Sequence, residues 1–193
     1  MQVIKQFSVI PSLPPRLVEA GMIPQLVQVL QERTDSKTDQ SVACEAMYYL
    51  VSGPDYPELR SMNATARSEL QALFAREGAL EQVVKAVDLA AGLDLPEGFG
   101  GQNKEALSQY NIERSCFRTM AVLAWRHPEN QGTLVRLGAP TKIVNGMRAR
   151  ATDGGVQASG CMALLSLSED GAANKQAVDA AEPPSCVGKL AMS

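Results

Sequence analysis

The sequence predicts an all-α protein, an α-solenoid of about four three-helix repeats of which the last is incomplete. Three glycines, Gly21, Gly78 and Gly138, each stand in front of a helix with one apolar face. A second, more apolar helix follows, and the same order returns along the chain. Ordered recurrence of this kind indicates a helical-repeat architecture.

A short helix is predicted before each glycine, at 16–20, 68–77 and 130–137, with a fourth at 174–180. The residue just past a helix end often takes a positive φ, which glycine adopts without a Cβ clash. Each glycine is therefore predicted to form a sharp corner between two helices. His127, at the entry to the third short helix, is predicted to be a surface or capping residue.

The helix after each corner carries apolar residues at positions i, i+3, i+4 and i+7, which places them on one face. Such a helix needs a neighbour to cover that face. In the fourth copy Ala181 takes the glycine position. The four stripes are Ile23, Leu26, Val27 and Leu30; Leu80, Val83, Val84 and Val87; Pro140, Ile143, Val144 and Met147; and Pro183, Cys186, Val187 and Leu190.

The third helices align without gaps at 43–50, 116–123 and 160–167. One aligned position is small in all three copies (Ala43, Cys116 and Gly160), which allows neighbouring helices to approach closely. From the corner glycine to the end of this helix is 29 residues in the first and third copies and 45 in the second. The basic unit is about 43 residues, within the range of armadillo and HEAT repeats.

Two insertions interrupt the unit, at 52–66 and at the glycine-rich stretch 92–104, and both are predicted to be loops by composition. We expect residues 1–15 to be the tail of a preceding helix or an N-terminal extension. Repeat 1 then covers 16–66, repeat 2 covers 67–126 and repeat 3 covers 127–170. An incomplete repeat 4 covers 171–193, so we expect both ends of the array to be uncapped.

Composition excludes several classes of function. The net charge is −3 and no block of lysine or arginine occurs, so nucleic acid is not an expected partner. No apolar run approaches the roughly 20 residues that span a bilayer, and residues 1–15 lack the features of a signal peptide. The sequence therefore predicts an intracellular, cytoplasmic protein without membrane insertion.

The four cysteines (Cys44, Cys116, Cys161 and Cys186) are widely spaced, and the chain has a single histidine. This pattern does not favour a metal site, and we predict no cofactor and no metal. Three of the cysteines fall at neighbouring positions of the third helix. The pattern favours a role as small apolar core residues over a redox or metal role.

The segment 130–167 resembles the armadillo repeat family. The resemblance rests on Glu-Asn at the start of the short helix, Leu-Gly-Ala-Pro at the corner, and Gln-Ala-Ser-Gly-Cys-Met-Ala-Leu-Leu-Ser-Leu in the third helix. It extends more loosely over 16–190. The family implies a right-handed superhelix that binds other proteins along a concave face lined by third helices.

The chain departs from the family members that bind extended basic peptides. Those members carry an asparagine ladder and a tryptophan ladder on the third helices. The corresponding positions here are Tyr49, Val122 and Ser166, and Glu45, Arg118 and Met162. Recognition of a basic import-type peptide is therefore not predicted.

The expected function is a non-enzymatic protein-interaction scaffold or adaptor, or one subunit of a larger assembly whose neighbours cover the uncapped ends. The alternative is an armadillo-type nucleotide exchange factor for a chaperone or a small GTPase. An all-helical enzyme is disfavoured, because with one histidine no catalytic pair is evident and no catalytic residue is predicted. Tyrosine, tryptophan and arginine are enriched at interface hot spots. The predicted partner-binding residues are Tyr48, Tyr49, Arg114, Arg118 and Trp125.

Overall fold

The computed structural model describes residues 13–52, 64–91 and 111–183, and over these ranges the chain consists of α-helices joined by turns. The all-α prediction is confirmed. In chain order the helices are α1 (Leu13–Glu19), α2 (Met22–Glu32), α3 (Lys37–Ser52), α4 (Ala64–Arg76), α5 (Ala79–Ala91), α6 (Ile112–Ala124), α7 (Pro128–Arg136), α8 (Ala139–Ala149), α9 (Gly154–Ser168) and α10 (Ala172–Ala180).

The predicted glycine corners are confirmed. Gly21, Gly78 and Gly138 have φ values of 77°, 81° and 78°. A Cβ added at Gly21 or Gly78 would meet no atom within 4 Å. Glycine is therefore required at these corners for its backbone conformation and not for close packing.

The fourth corner differs from its prediction by one residue. Ala181 has an ordinary helical φ of −77°, and the left-handed residue is Glu182, with φ 54°. The placement of Ala181 in the glycine position is therefore wrong, because without a glycine the pattern could not fix the corner. The fourth-stripe residues Cys186, Val187 and Leu190 lie outside the described residues.

The apolar stripes form the core between α2, α5 and α8. A pattern at i, i+3, i+4 and i+7 turns one face of each helix toward its neighbours, and burial of that face is the main source of stability for such helices. The buried stripe residues are Ile23, Leu26, Val27, Leu30, Leu80, Val83, Val84, Val87, Pro140, Ile143, Val144 and Met147.

The third helices pack side by side and run parallel. Between α3 and α6, Ser41 Oγ lies 3.0 Å from Ser115 Oγ, and the Thr119 hydroxyl donates to the Cys44 carbonyl at 2.6 Å. The sequence separations of these pairs are 74 and 75 residues. A nearly constant separation along two helices means that they run in the same direction, in the register of the predicted alignment.

Helices α6 and α9 are parallel as well. Near their starts, the Asn111 amide lies 3.4 Å from Asp153 Oδ2. Near their ends, the Gln131 amide donates both to the Ala124 carbonyl and to Asp170 Oδ2, at 3.1 and 3.0 Å. The helices α3, α6 and α9 therefore form one parallel row.

A repeated hydrogen-bond pattern supports the alignment of the first and third copies. The Gln40 amide donates to the carbonyls of Leu30 and Arg33 at the end of α2. The Gln157 amide donates in the same way to Met147 and Arg150 at the end of α8. Unpaired carbonyls at a helix end need such partners. The second copy has Glu113 at this position, which cannot donate and instead accepts from Arg150 Nε at 3.3 Å.

The boundaries of the predicted insertions change in part. Ser52 belongs to α3, and residues 64–66 belong to α4, so the predicted loop 52–66 is helical at both ends. The glycine-rich loop 92–104 and most of the predicted extension 1–15 lie outside the described residues. The division into four repeats stays a prediction.

Three cysteines differ from their prediction, and one of them, Cys161, is half-buried and disulfide-bonded. Cys44 and Cys116 are fully buried, as expected of core residues, but they also form a disulfide with a Cα–Cα distance of 5.1 Å. This distance is ordinary for a disulfide. The sequence placed both cysteines correctly in the core and did not predict the bond between α3 and α6.

None of the described helices combines the length and the apolarity needed to cross a bilayer.

Candidate interaction surface

Three of the five predicted partner-binding residues lie together between α3 and α6. We call Glu45, Tyr48, Tyr49, Ser115 and Arg118 the joint cluster. The Arg118 guanidinium donates to Glu45 Oε1 at 3.1 Å, and the Ser115 hydroxyl donates to Oε2 at 3.1 Å. The guanidinium carbon lies 3.9 Å from the centre of the Tyr48 ring and 5.8 Å from that of Tyr49.

The joint cluster connects α3 and α6. Tyr48 and Tyr49 are only 8% and 6% exposed, so most of their surface is covered by the protein itself. A buried ion pair needs further hydrogen bonds to offset its desolvation, and Ser115 supplies one of them. Contact of Tyr48, Tyr49 or Arg118 with a partner stays a prediction.

The electrostatics of the cluster favour a charged arginine beside neutral tyrosine. Burial raises the pKa of Tyr49 to about 12, and the Glu45 carboxylate acts in the same direction. Burial alone lowers the pKa of Arg118, but its hydrogen bond with Tyr48 and the negative charge of Glu45 outweigh burial, so this pKa is raised. Arg118 therefore stays charged and Tyr49 stays neutral through the neutral range.

Trp125 is presented to solvent immediately after α6. Its side chain is 36% exposed. The guanidinium carbons of Arg67 and Arg126 each lie 4.8 Å from the centre of its ring, a distance at which cations are attracted to an aromatic face. Arg126 takes a positive φ of 52°, a conformation that non-glycine residues adopt rarely.

The backbone under Trp125 is fixed by buried amides. The Gln71 amide donates to the carbonyls of Val122 and Trp125 at 2.6 and 3.0 Å. The Asn130 amide donates to Leu123 at 2.9 Å, and Gln131 donates to Ala124. The backbone carbonyls of residues 122–125 therefore all accept hydrogen bonds from side-chain amides. Trp125 projects from a rigid helix end as a result.

Arg114 lies at the opposite end of the same helix. Its Cδ and Nε would be 3.2 Å from a Cβ added at Gly155, so the absence of a side chain at Gly155 lets Arg114 lie over the start of α9. Arg114, Arg118, Val122 and Trp125 are the residues at 114–125 that are not buried. Their spacing places them on one helix face, which we call the α6 surface.

Sequence reasoning missed two exposed apolar residues on α9. Met162 is 51% exposed and Leu165 is 39% exposed. Their aligned counterparts in the first copy, Glu45 and Tyr48, are both buried. A signal was present, because α9 is apolar on nearly all faces, and a helix of that kind is normally covered all round.

The described residues show no constellation for metal binding. Over 13–52, 64–91 and 111–183, no group of three histidine, cysteine or acidic side chains could hold a metal ion. His127 Nδ1 accepts from the Asn130 backbone N–H at 3.3 Å. The predicted capping role of His127 is confirmed, but the predicted surface position is wrong, because the side chain is buried against α7.

Comparison of the chain with protein-family models, with curated proteins and with solved structures returns no match.

Proposed function

We propose that this protein is a non-enzymatic, armadillo-like scaffold, a right-handed α-solenoid that binds another protein through the α6 surface. The parallel row of third helices supports the architecture, since stacked repeats place equivalent helices side by side. The proposed partner is a protein segment that lies across α6 between Arg114 and Trp125.

The observation that carries this proposal is the environment of Trp125. A large aromatic side chain that is both exposed and held on a rigid support can bury area on binding with little loss of conformational entropy. The two flanking arginines, Arg67 and Arg126, add donors at the rim. Tryptophan and arginine together are the residue types most enriched at interface hot spots.

The cellular location is constrained by the disulfide. Thiols of cytosolic proteins are generally kept reduced, so the Cys44–Cys116 bond favours an oxidising compartment. The predicted cytoplasmic location stays a prediction.

The test compares binding by three forms of the protein. Partners are captured with the wild-type chain, with Trp125→Ala and with Arg136→Ala. Arg136 is the matched control, because its guanidinium donates to Thr133 within α7, away from the α6 surface. The partner is the protein retained by wild type and by Arg136→Ala but lost with Trp125→Ala.

The purified partner is then titrated against each form. Loss of a tryptophan hot spot should weaken binding roughly 30-fold or more, since hot spots contribute 2 kcal/mol or more, whereas Arg136→Ala should change the Kd less than about twofold. Trp125 is the single tryptophan of the chain, so its fluorescence should shift to shorter wavelength on binding. A partner whose affinity is the same for all three forms would contradict the proposal.

A further inference from the structure

The α6 surface carries positive charge at both of its ends. Arg114 lies near the start of α6, and the guanidinium groups of Arg67 and Arg126 lie beside Trp125 at its end. The ion pairs formed among the described residues include none of these three arginines. The whole chain has a net charge of −3, so this positive surface is a local feature of an acidic protein.

The carboxylates in contact with α6 or with its N-cap already have partners within the fold. Glu45 accepts a hydrogen bond from Arg118 at 3.1 Å, and Glu113 accepts one from Arg150 at 3.3 Å. Asp153 caps the start of α9 through two backbone N–H groups. These three side chains are therefore engaged elsewhere and leave the charge of the α6 surface uncompensated.

Two of the positive charges converge on Trp125. The guanidinium carbons of Arg67 and Arg126 each lie 4.8 Å from the centre of the ring, so they are no farther apart than twice that distance. Like charges this close repel each other. A carboxylate placed beside the ring would be attracted to both guanidinium groups, which are suited to paired hydrogen bonds with carboxylate oxygens.

The backbone holds both arginines at the ring. Gln71 lies one turn after Arg67 on α4, on the same helix face, and its amide donates to the Trp125 carbonyl at 3.0 Å. Arg126 has a φ of 52°, and the next backbone N–H, that of His127, donates to the Ala124 carbonyl at 3.0 Å. A left-handed conformation in a residue other than glycine costs free energy and is found often at functional sites.

The dimensions and composition of the surface suit an extended protein segment. Arg114 and Trp125 are separated by about 16 Å along the helix axis, a distance that about five extended residues cover. Val122 lies between the charged ends and is half-buried, so it offers an apolar contact in the middle. Nucleic acid suits the surface less well, because proteins that bind it are generally basic and contact many phosphates.

We infer that the partner segment on the α6 surface is acidic, with aspartate or glutamate side chains that pair with Arg114 at one end and with Arg67 and Arg126 at the other. This inference rests on the proposed function, because it gives the chemistry of the partner that the same surface binds. Charge complementarity of this kind selects partners and speeds their association.

The experiment uses two dye-labelled synthetic peptides of about ten residues, long enough to cover the surface in an extended form. One peptide carries glutamate at half of its positions, and the other carries glutamine at those positions. Fluorescence anisotropy should show that wild type binds the glutamate peptide at least roughly tenfold more tightly. The Kd for the glutamate peptide should rise severalfold between about 50 and about 500 mM NaCl, because salt screens exposed charges.

Three single variants and their combination test the arginines. Arg67→Gln, Arg114→Gln and Arg126→Gln should each weaken binding of the glutamate peptide roughly two- to fivefold, as expected for exposed ion pairs. The triple variant should bind it more than about tenfold more weakly. Affinity for the glutamine peptide should stay the same, which a loss of folded structure would not produce. Arg136→Gln on α7 is the matched control and should bind as wild type does.

Three results would overturn the inference. Wild type could bind the glutamate peptide no more tightly than the glutamine peptide. The triple variant could bind the glutamate peptide as tightly as wild type. An oligothymidylate with the same number of negative charges could bind more tightly than the glutamate peptide, which would assign the surface to nucleic acid.

Failure of this inference is distinguishable from failure of the proposed function. Both are tested on the protein partner that wild type captures. If Trp125→Ala loses that partner and the triple arginine variant keeps it with unchanged affinity, the α6 surface is a binding site but its partner is not recognised by negative charge. If both variants keep the partner with unchanged affinity, the proposed function and this inference are both wrong.

Discussion

Replacing Val144 by aspartate is expected to unfold the protein. Val144 lies in the α8 stripe and is fully buried in the core. A carboxylate at this position would have to enter the core as an unpaired charge, which costs several kcal/mol. A domain of this size has only about 5–15 kcal/mol of stability. We expect the thermal transition by circular dichroism to fall sharply, or the folded state to be lost.

Asn145→Asp is the matched control, because it adds the same charge at the next residue of α8, where the side chain is exposed. Its unfolding free energy should change by less than about 0.5 kcal/mol. If Val144→Asp gave a protein as helical and as stable as Asn145→Asp, the stripe would not face the core, and the predicted helix register would be wrong.

Replacing Arg118 by methionine is expected to give the second largest loss of stability. The side chains of Arg118 and Glu45 are only 17% and 10% exposed. Without the guanidinium, Glu45 would keep a buried charge with only the neutral hydroxyls of Ser115 and Tyr49 as described hydrogen-bond donors. Removal of one partner from a buried pair costs about 3–5 kcal/mol. We expect roughly 2–4 kcal/mol here by urea unfolding, because some solvent screens the pair.

Two further variants separate the charge effect from loss of packing. Arg114→Met removes the same side chain one turn earlier on α6, where the described contacts include no ion pair, and should cost less than about 1 kcal/mol. The double variant Glu45→Gln with Arg118→Met removes both charges and should be more stable than Arg118→Met alone. If Arg114→Met and Arg118→Met lowered the free energy of unfolding equally, the Glu45–Arg118 ion pair of the joint cluster would not stabilise the fold.

Local features of this fold could be predicted from the sequence. The corners at Gly21, Gly78 and Gly138 and the apolar stripes depend on neighbours only a few residues away, so periodicity and glycine chemistry are sufficient. The fourth corner was misplaced by one residue because no glycine marks it. There the left-handed conformation falls on Glu182.

Features that depend on stacking could be predicted only in part. The alignment of the third helices was available from the sequence, and it places Cys44 one position from the counterpart of Cys116. It did not show that α3 lies directly against α6, so the disulfide and the Glu45–Arg118 pair were missed. Tyr48, Tyr49 and Arg118 have the composition of a binding surface, but within the fold they contact one another.

The recurrence of glutamine could have been found without a structure. Gln40 and Gln157 stand at the same distance after their corner glycines. An amide at that position serves the carbonyls at the end of the preceding helix in both copies. The exposure of Met162 and Leu165 could not be predicted from the glutamine recurrence, because it depends on which helices lie beside α9 in space.

The alternative function, a nucleotide exchange factor, stays a prediction that no described contact favours.

The parallel, in-register packing of α3 on α6 is the claim on which the joint cluster and the α6 surface both depend. Peptide mapping of the purified protein by mass spectrometry, without reduction and after alkylation of accessible thiols, tests it most directly. The account predicts a linked pair of peptides that joins Cys44 to Cys116. Linkage of Cys44 to a different cysteine in the folded protein would contradict the register, and with it the stacking of the third helices.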